Sequence, residues 1–398
     1  MSALDKNNPP TDWVESLRLR YPCETELDRI LTRKMRLRPG PGYSPVTLEA
    51  LVAGTQSLIK SNLNDTFELT KARWLSGGAS KLQMQFKLHW NKPGVGRTVT
   101  PMVLRMEPAE SITETSRLRE FQIIRALAGH VPVPTTYWVD ATGDHLPYPA
   151  IIYEFAEGVT KPSAASSNVS GVGTAMPSSL RQSLGTQMVE HLARIHTFDW
   201  HKADLDAFDK PATETQALEW QLNRWERVWE EDVNEEVPLM RLAAAWLREN
   251  MPTSQRASLI HGDYRVGNFL FNEEDTKITA WLDWELSYIG DPHEDLAWVS
   301  KKIFGHLSED GETFLIGGLI PRKEFFSTYE QLTGFTVNPK TLQYYDLFSN
   351  FKSAAICLAS APRVAGNGKT HQDVVVGWLA GISYMLLDEL RKQLEEVL

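Results

Sequence analysis

Apolar positions change their period several times along the chain. Up to about residue 60 they recur at helical spacing in patches, as at Leu48, Leu51 and Val52 and again at Leu58 and Ile59, interrupted by Pro39-Gly40-Pro41-Gly42. This predicts a helical N-terminal extension, residues 1–62, with no chemistry of its own. From Phe67 the period shortens to two. Residues 67–75, a Ser/Gly turn, 82–90, a Gly-bearing hairpin at 91–97 and then 101–106 read as an antiparallel meander. A helix is expected from about 113 to 128, ended by Gly129, and strands at 135–139 and 150–155 follow. Residues 63–154 thus form a small sheet-bearing lobe with one main helix.

Past Gly158, residues 161–179 are rich in Ser, Gly and Ala and read as an exposed loop or insertion. The remainder is mostly helical, with helices expected at 180–198, 218–231, 239–250, 323–332, 342–358 and 374–394. Leu218, Leu222, Trp225 and Trp229 form one stripe, as core packing requires. Residues 155–398 are therefore a larger, mostly helical lobe, and the fold class is α+β in two lobes.

Composition adds exclusions. A chain of 398 residues, 42% hydrophobic and 23% charged, is of ordinary globular type. With 51 acidic against 41 basic side chains the net charge is -10, which repels polyphosphate backbones and argues against nucleic acid as a partner. The two cysteines, Cys23 and Cys357, lack the spacing of a disulfide framework or a cysteine-based zinc site. A polar, proline-bearing N-terminus and the lack of any run of 18 apolar residues lead to the expectation of a cytoplasmic protein without membrane spans.

The chemistry gathers in His261-Gly262-Asp263-Tyr264-Arg265-Val266-Gly267-Asn268. This polar segment lies between Ser258-Leu259-Ile260 and the apolar Phe269-Leu270-Phe271, so it is a loop held between two buried strands. Asp283 ends the next apolar stretch. Phosphoryl transfer needs a carboxylate that orients the attacking hydroxyl and accepts its proton, and oxygen ligands that hold magnesium on the phosphates. Asp263, followed by Asn268 and Asp283, supplies that set in chain order.

The loop resembles the catalytic loop of the aminoglycoside phosphotransferase family, which shares the protein-kinase-like fold. Leu282-Asp283-Trp284-Glu285, Gly290-Asp291-Pro292 and Asp295-Leu296-Ala297 are similar to its metal-binding segment. The Trp-Glu pair, together with Trp220-Gln221-Leu222-Asn223-Arg224-Trp225, more closely resembles the branch that includes kinase domains fused to acyl-CoA dehydrogenases. The resemblance covers roughly residues 67–390. It implies ATP and Mg2+ as cofactors, Asp263 as catalytic base and Asn268 and Asp283 as metal ligands. Arg265 falls where protein kinases often carry a cation near the γ-phosphate, although a surface arginine would look the same.

The resemblance also implies a nucleotide site in the first lobe. Ser76-Gly77-Gly78-Ala79-Ser80 suits a phosphate-covering turn, with Ser76, Gly77, Gly78 and Ser80 as contacts, and it also suits an ordinary hairpin. Arg105 stands where most kinases have lysine, and a planar guanidinium can still clamp phosphates. Its expected partner is Glu120, a carboxylate on the apolar helix face of Ile124 and Leu127, with Glu114 as the competing choice. Glu154 and Ala156 match the inter-lobe hinge, whose backbone would meet adenine.

His261 is expected to brace the loop by hydrogen bonds and not to carry protons. Asp291, Glu294 and Asp295 are what a helix start requires. Seven residues separate Asp283 from Asp291, which leaves no room for the activation and peptide-docking segment of a protein kinase. The acceptor is then a small hydroxylated molecule: a metabolite, a hydroxyacyl compound or an antibiotic. Arg363 is a candidate for its pocket, or else an exposed loop arginine. A nucleotide-binding pseudokinase or regulatory module, motivated by Arg105, and a protein kinase are the alternative functions.

Overall fold

A computed structural model of the chain describes residues 4–75, 81–163, 175–254, 256–371 and 373–398. Three helices open it: α1 (Thr11–Arg20), α2 (Thr25–Leu37) and α3 (Leu48–Asn62). They are followed by β1 (Glu68–Trp74), β2 (Leu82–Lys92), β3 (Gly96–Met106), α4 (Arg117–Leu127), β4 (Thr136–Asp140) and β5 (Ala150–Glu154). The strands form one antiparallel sheet in the order β1-β2-β3-β5-β4.

Alternation builds this sheet. Leu82, Met84, Phe86, Leu88 and Trp90 of β2 all point inward, while Gln83, Gln85, Lys87 and His89 lie between them. They meet Met102, Leu104 and Met106 of β3 and Leu51, Leu58 and Ile59 of α3 in one core. Each such side chain, fully buried, contributes about 1.5–3 kcal/mol. The opposite parity of β3, Val103 and Arg105, is also buried, on the face toward α4 and the second lobe. The β2–β3 hairpin is tighter than predicted, with β2 running on to Lys92 and β3 starting at Gly96 instead of 101.

The N-terminal helices do not act as a separate extension. While α3 joins the sheet core, α2 and its flanking residues brace the second lobe and α4 through buried charge. Lys34 pairs with Glu231 at 2.8 Å and Asp232 at 3.1 Å, Arg38 pairs with Asp232 at 2.6 Å and Glu110 at 2.7 Å, and Arg119 of α4 reaches Glu24 at 2.8 Å.

The second lobe contains α5 (Ser178–Thr197), α6 (Gln216–Asp232), α7 (Pro238–Glu249), β6 (Ser258–Ile260), β7 (Phe269–Asn272), β8 (Lys277–Trp281), β9 (Tyr288–Gly290) and α8 (His293–Val299). A small sheet, β10 (His306–Leu307), β11 (Phe314–Ile316) and β12 (Ile320–Pro321), precedes α9 (Arg322–Thr333), α10 (Pro339–Ala354), α11 (Ala361–Gly366) and α12 (Asp373–Val397). The expected loop at 161–179 falls largely outside the described residues, and α5 begins within it at Ser178. The stripe Leu218, Leu222, Trp225 and Trp229 is buried as predicted. Among the described residues no helix is long and apolar enough to cross a membrane.

Candidate active site

Two short antiparallel pairs, β6 with β9 and β7 with β8, hold the segment 261–268 between them. Its entry is tight. Gly262 has φ +79°, and a Cβ there would lie 2.6 Å from the Leu286 carbonyl oxygen, so only glycine fits. Asp295 of α8 accepts hydrogen bonds from the backbone N–H of His261 at 2.7 Å and of Gly262 at 2.9 Å, and its carboxylate also faces His196 Nε2 at 3.2 Å. From α10, buried Lys352 donates to the Gly262 carbonyl at 2.6 Å and pairs with Glu294 at 3.1 Å.

His261 is fully buried, and burial pushes its pKa down despite the nearby carboxylates of Asp295, Asp263 and Asp283. Its Nε2 donates to the Leu282 carbonyl at 3.0 Å, and its Nδ1 accepts from the Asp263 N–H at 3.3 Å. A neutral, bracing imidazole is therefore what the geometry holds.

The Asp263 carboxylate is fixed by three donors. Oδ1 accepts from Trp298 Nε1 at 2.7 Å and Arg265 Nε at 3.0 Å, and Oδ2 accepts from Asn268 Nδ2 at 2.6 Å. Asn268 is buried, and the same Nδ2 donates to the Asp263 carbonyl at 2.8 Å, which turns its Oδ1 away from Asp263 as an acceptor. The Leu282 N–H donates to the Asn268 carbonyl at 2.8 Å, tying the segment of Asp283 to the loop. Asp283 has a left-handed backbone, φ 59° and ψ 46°, and its side chain remains 43% exposed. A non-glycine residue held there is strained, as residues at working sites often are.

Arg105 gathers the carboxylates of both lobes. It donates to Glu120 at 2.6 Å and to Glu285 at 3.1 Å, and pairs with Asp283 at 2.6 Å. Burial opposes its charge, and the carboxylates of Glu120, Asp283 and Glu285 outweigh it, so its pKa is raised. Arg117 also contacts Glu120 and pairs with Glu285 at 3.0 Å and Glu107 at 2.8 Å, while Lys81 pairs with Glu107 at 2.6 Å. The competing Glu114 instead accepts from the Ser111 N–H at 2.8 Å.

At the end of β5 the Glu154 N–H donates to the Thr135 carbonyl at 2.8 Å, and its carboxylate holds Lys92 at 3.1 Å and Tyr137 at 2.9 Å. Ala156 is half-buried, and among the described residues its backbone N–H has no partner. Ser76, Gly77, Gly78 and Ser80 lie outside the described residues. Arg363 corrects both of its readings, since it is buried on α11 against the Asp232 carbonyl at 3.1 Å and Asn7 at 2.7 Å. Among the described residues no three His, Cys, Asp or Glu side chains are grouped so as to hold a metal ion.

Sequence reasoning gave no role to Trp298, Lys352 and Glu285, read Glu294 as a capping residue, and read Asp295 as a capping residue within the segment that resembles the family's metal-binding segment. Glu294 in fact contacts the Tyr288 hydroxyl and Lys352, and Asp295 holds the loop.

The family model described as Phosphotransferase enzyme family (APH) matches residues 75–323. Acyl-CoA dehydrogenase family member 10 of Mus musculus is 30% identical over 200 residues, covering 50% of this chain and 18% of that protein. The chain thus spans less than a fifth of that relative's length. A putative aminoglycoside phosphotransferase from Ralstonia eutropha superposes with a TM-score of 0.60 at 23% identity, covering 88% of this chain and 98% of the other. A thermostable mutant of an aminoglycoside phosphotransferase, in ternary complex with AMP-PNP and hygromycin B, gives a TM-score of 0.50 at 17% identity, covering 84% and 97%. At these identities the structural likeness is one of fold.

Proposed function

The chain belongs to the phosphotransferase enzyme family, and from that premise we propose that it moves the γ-phosphate of ATP to a hydroxyl of a small molecule. The observation that carries this reading is the carboxylate of Asp263, oriented by Asn268, Trp298 and Arg265 at the mouth of a loop whose backbone is anchored from α8 and α10. A base held in one orientation lowers the barrier by positioning and by taking the hydroxyl proton as the bond to phosphorus forms.

Asn268 and Asp283 would hold Mg2+. They fit it chemically, because the Asn268 amide nitrogen is committed to Asp263 and leaves an oxygen donor, and Asp283 offers a carboxylate. When bound, the ion neutralises charge on the phosphate oxygens. Arg105, held by Glu120, would lie over the phosphates with Ser76, Gly77, Gly78 and Ser80. The backbone of Glu154 and Ala156 would meet adenine, and Arg265 would approach the transferring group.

The acceptor is a hydroxylated metabolite, a hydroxyacyl compound or an antibiotic. The short link from Asp283 to Asp291 supports a small molecule over a peptide, and the fold neighbour in complex with hygromycin B binds one. Free Cys23 and Cys357 suit a cytoplasmic setting.

The test is ADP formation from ATP and Mg2+ across a panel of small alcohols, hydroxy acids and antibiotics, with peptides alongside. Turnover on one small alcohol class is expected. Nucleotide binding without turnover on any of them would favour a regulatory module, and phosphate incorporated into peptides alone would favour a protein kinase.

A further inference from the structure

Trp298 lies in the last turn of α8, a position with no evident chemistry. Its ring is buried, yet its indole N–H lies 2.7 Å from Asp263 Oδ1. Two lysine side chains flank the ring: Lys352 Nζ at 4.5 Å and Lys301 Nζ at 4.9 Å from its centroid, the latter with its pKa pushed down to about 7 by burial and by Lys352. A cation against an indole, here Lys352, draws on its electron density, which makes the N–H a stronger donor. Lys352 is itself fixed by the Gly262 carbonyl and Glu294, and Lys301 by Ser353 Oγ at 3.0 Å and the Ser349 carbonyl at 3.2 Å. The indole is thus packed between two anchored side chains with its N–H directed at the carboxylate.

The two oxygens of Asp263 are not equivalent. Oδ1 already accepts two hydrogen bonds, from Trp298 and Arg265, which occupy both of its lone pairs. Among the described residues Oδ2 accepts one, from Asn268, and keeps a lone pair. We propose that Trp298 is a positioning residue that locks Oδ1, so that the acceptor hydroxyl gives its proton to Asp263 Oδ2. As the acceptor oxygen bonds to the γ-phosphorus, the bond from that phosphorus to the bridging oxygen breaks and ADP departs with the electron pair. The hydroxyl proton passes to Oδ2. The inference rests on Asp263 being the base, and it adds which atom serves and what holds the other.

The experiment compares the unaltered chain with Trp298→Phe, Trp298→His and Asp263→Asn. ADP formation from ATP and Mg2+ is followed with water as the acceptor, and nucleotide binding is measured by calorimetry. Trp298→Phe keeps an aromatic ring and removes the donor. Its kcat is expected to fall by about 10- to 100-fold, the loss of one hydrogen bond to a charged group, with the KM for ATP unchanged. Trp298→His, which keeps a ring N–H, is expected to recover part of that loss, a recovery that a merely structural role would not produce. In [15N]Trp-labelled protein the Trp298 indole signal, identified by its disappearance in Trp298→Phe, is expected to move in Asp263→Asn.

An unchanged kcat in a folded Trp298→Phe, or an indole signal that ignores Asp263→Asn, would overturn the proposal. If Asp263→Asn abolishes turnover while Trp298→Phe does not, this inference alone fails. If Asp263→Asn leaves turnover intact, the base reading beneath it fails.

Discussion

Arg105 and Asp283 meet at 2.6 Å across the cleft, one from β3 of the sheet lobe and the other from the segment that follows β8 of the helical lobe. The same guanidinium holds Glu120 at 2.6 Å, so one side chain links the helix α4, the sheet and the proposed metal segment. Arginine suits this junction because its planar fork serves several carboxylates at once.

Arg105→Met leaves Glu120, which is 1% exposed, without this partner. Loss of about 3–5 kcal/mol in unfolding free energy is expected, the usual cost of stranding a buried charge. Arg105→Lys keeps the charge but not the fork, and is expected to lose less. Urea denaturation of the two variants decides it, and a Met variant as stable as the unaltered chain would show that Arg117 alone suffices for Glu120.

Gly262→Ala probes the entry to the loop. A methyl group at φ +79° and 2.6 Å from the Leu286 carbonyl must displace backbone. The strain is on the order of 1–3 kcal/mol, and because Asp263 is the next residue, turnover is expected to fall along with stability. Chemical denaturation and initial rates measured on the same preparation check both. A variant with full stability and full rate would contradict the placement of this loop.

Glu114 carries a pH dependence. Burial, with the Glu107 and Glu110 carboxylates beside it, pushes its pKa from 4.5 up to about 7. The folded chain holds this proton more tightly than the unfolded chain, so stability falls as pH rises from 4.5 to about 7, and the whole penalty is present above that. Glu114→Gln is expected to remove the decline. Across that window the variant should gain on the order of 1–3 kcal/mol relative to the unaltered chain. Parallel stability profiles over the same pH range would refute the assignment.

How much of this was legible follows from sequence separation. Asp263 and Asn268 are five residues apart between two apolar strands, and Asp283 ends the next strand, so their convergence could be read from local pattern. Arg105 and Glu120 could be paired because strand alternation and helix periodicity each place one charge on an apolar face. Trp298, Lys352 and Glu285 could not. Trp298 reaches Asp263 across 35 positions, Lys352 reaches Gly262 across 90, and Glu285 reaches Arg105 across 180. No periodicity encodes contacts made by packing whole helices on a loop.

The N-terminal helices failed for a different reason. Lys34 and Arg38 are buried against the carboxylates of Glu231 and Asp232, nearly 200 residues away, and of Glu110, and no local pattern encodes those pairings. Arg363 was misplaced in the same way, because its neutral oxygen partners near the N-terminus and after α6 carry no sequence signature.

The most direct test of the account is the turnover of Asp263→Asn on whichever acceptor supports ADP formation, measured beside its affinity for ATP. The amide is nearly isosteric, and although its single oxygen can accept from Trp298 or from Asn268 but not from both, the fold and the nucleotide site should persist. The account expects kcat to fall by several orders of magnitude, about 10³-fold or more, with ATP affinity kept, as for a group that acts in the transition state. Turnover like that of the unaltered chain would contradict it.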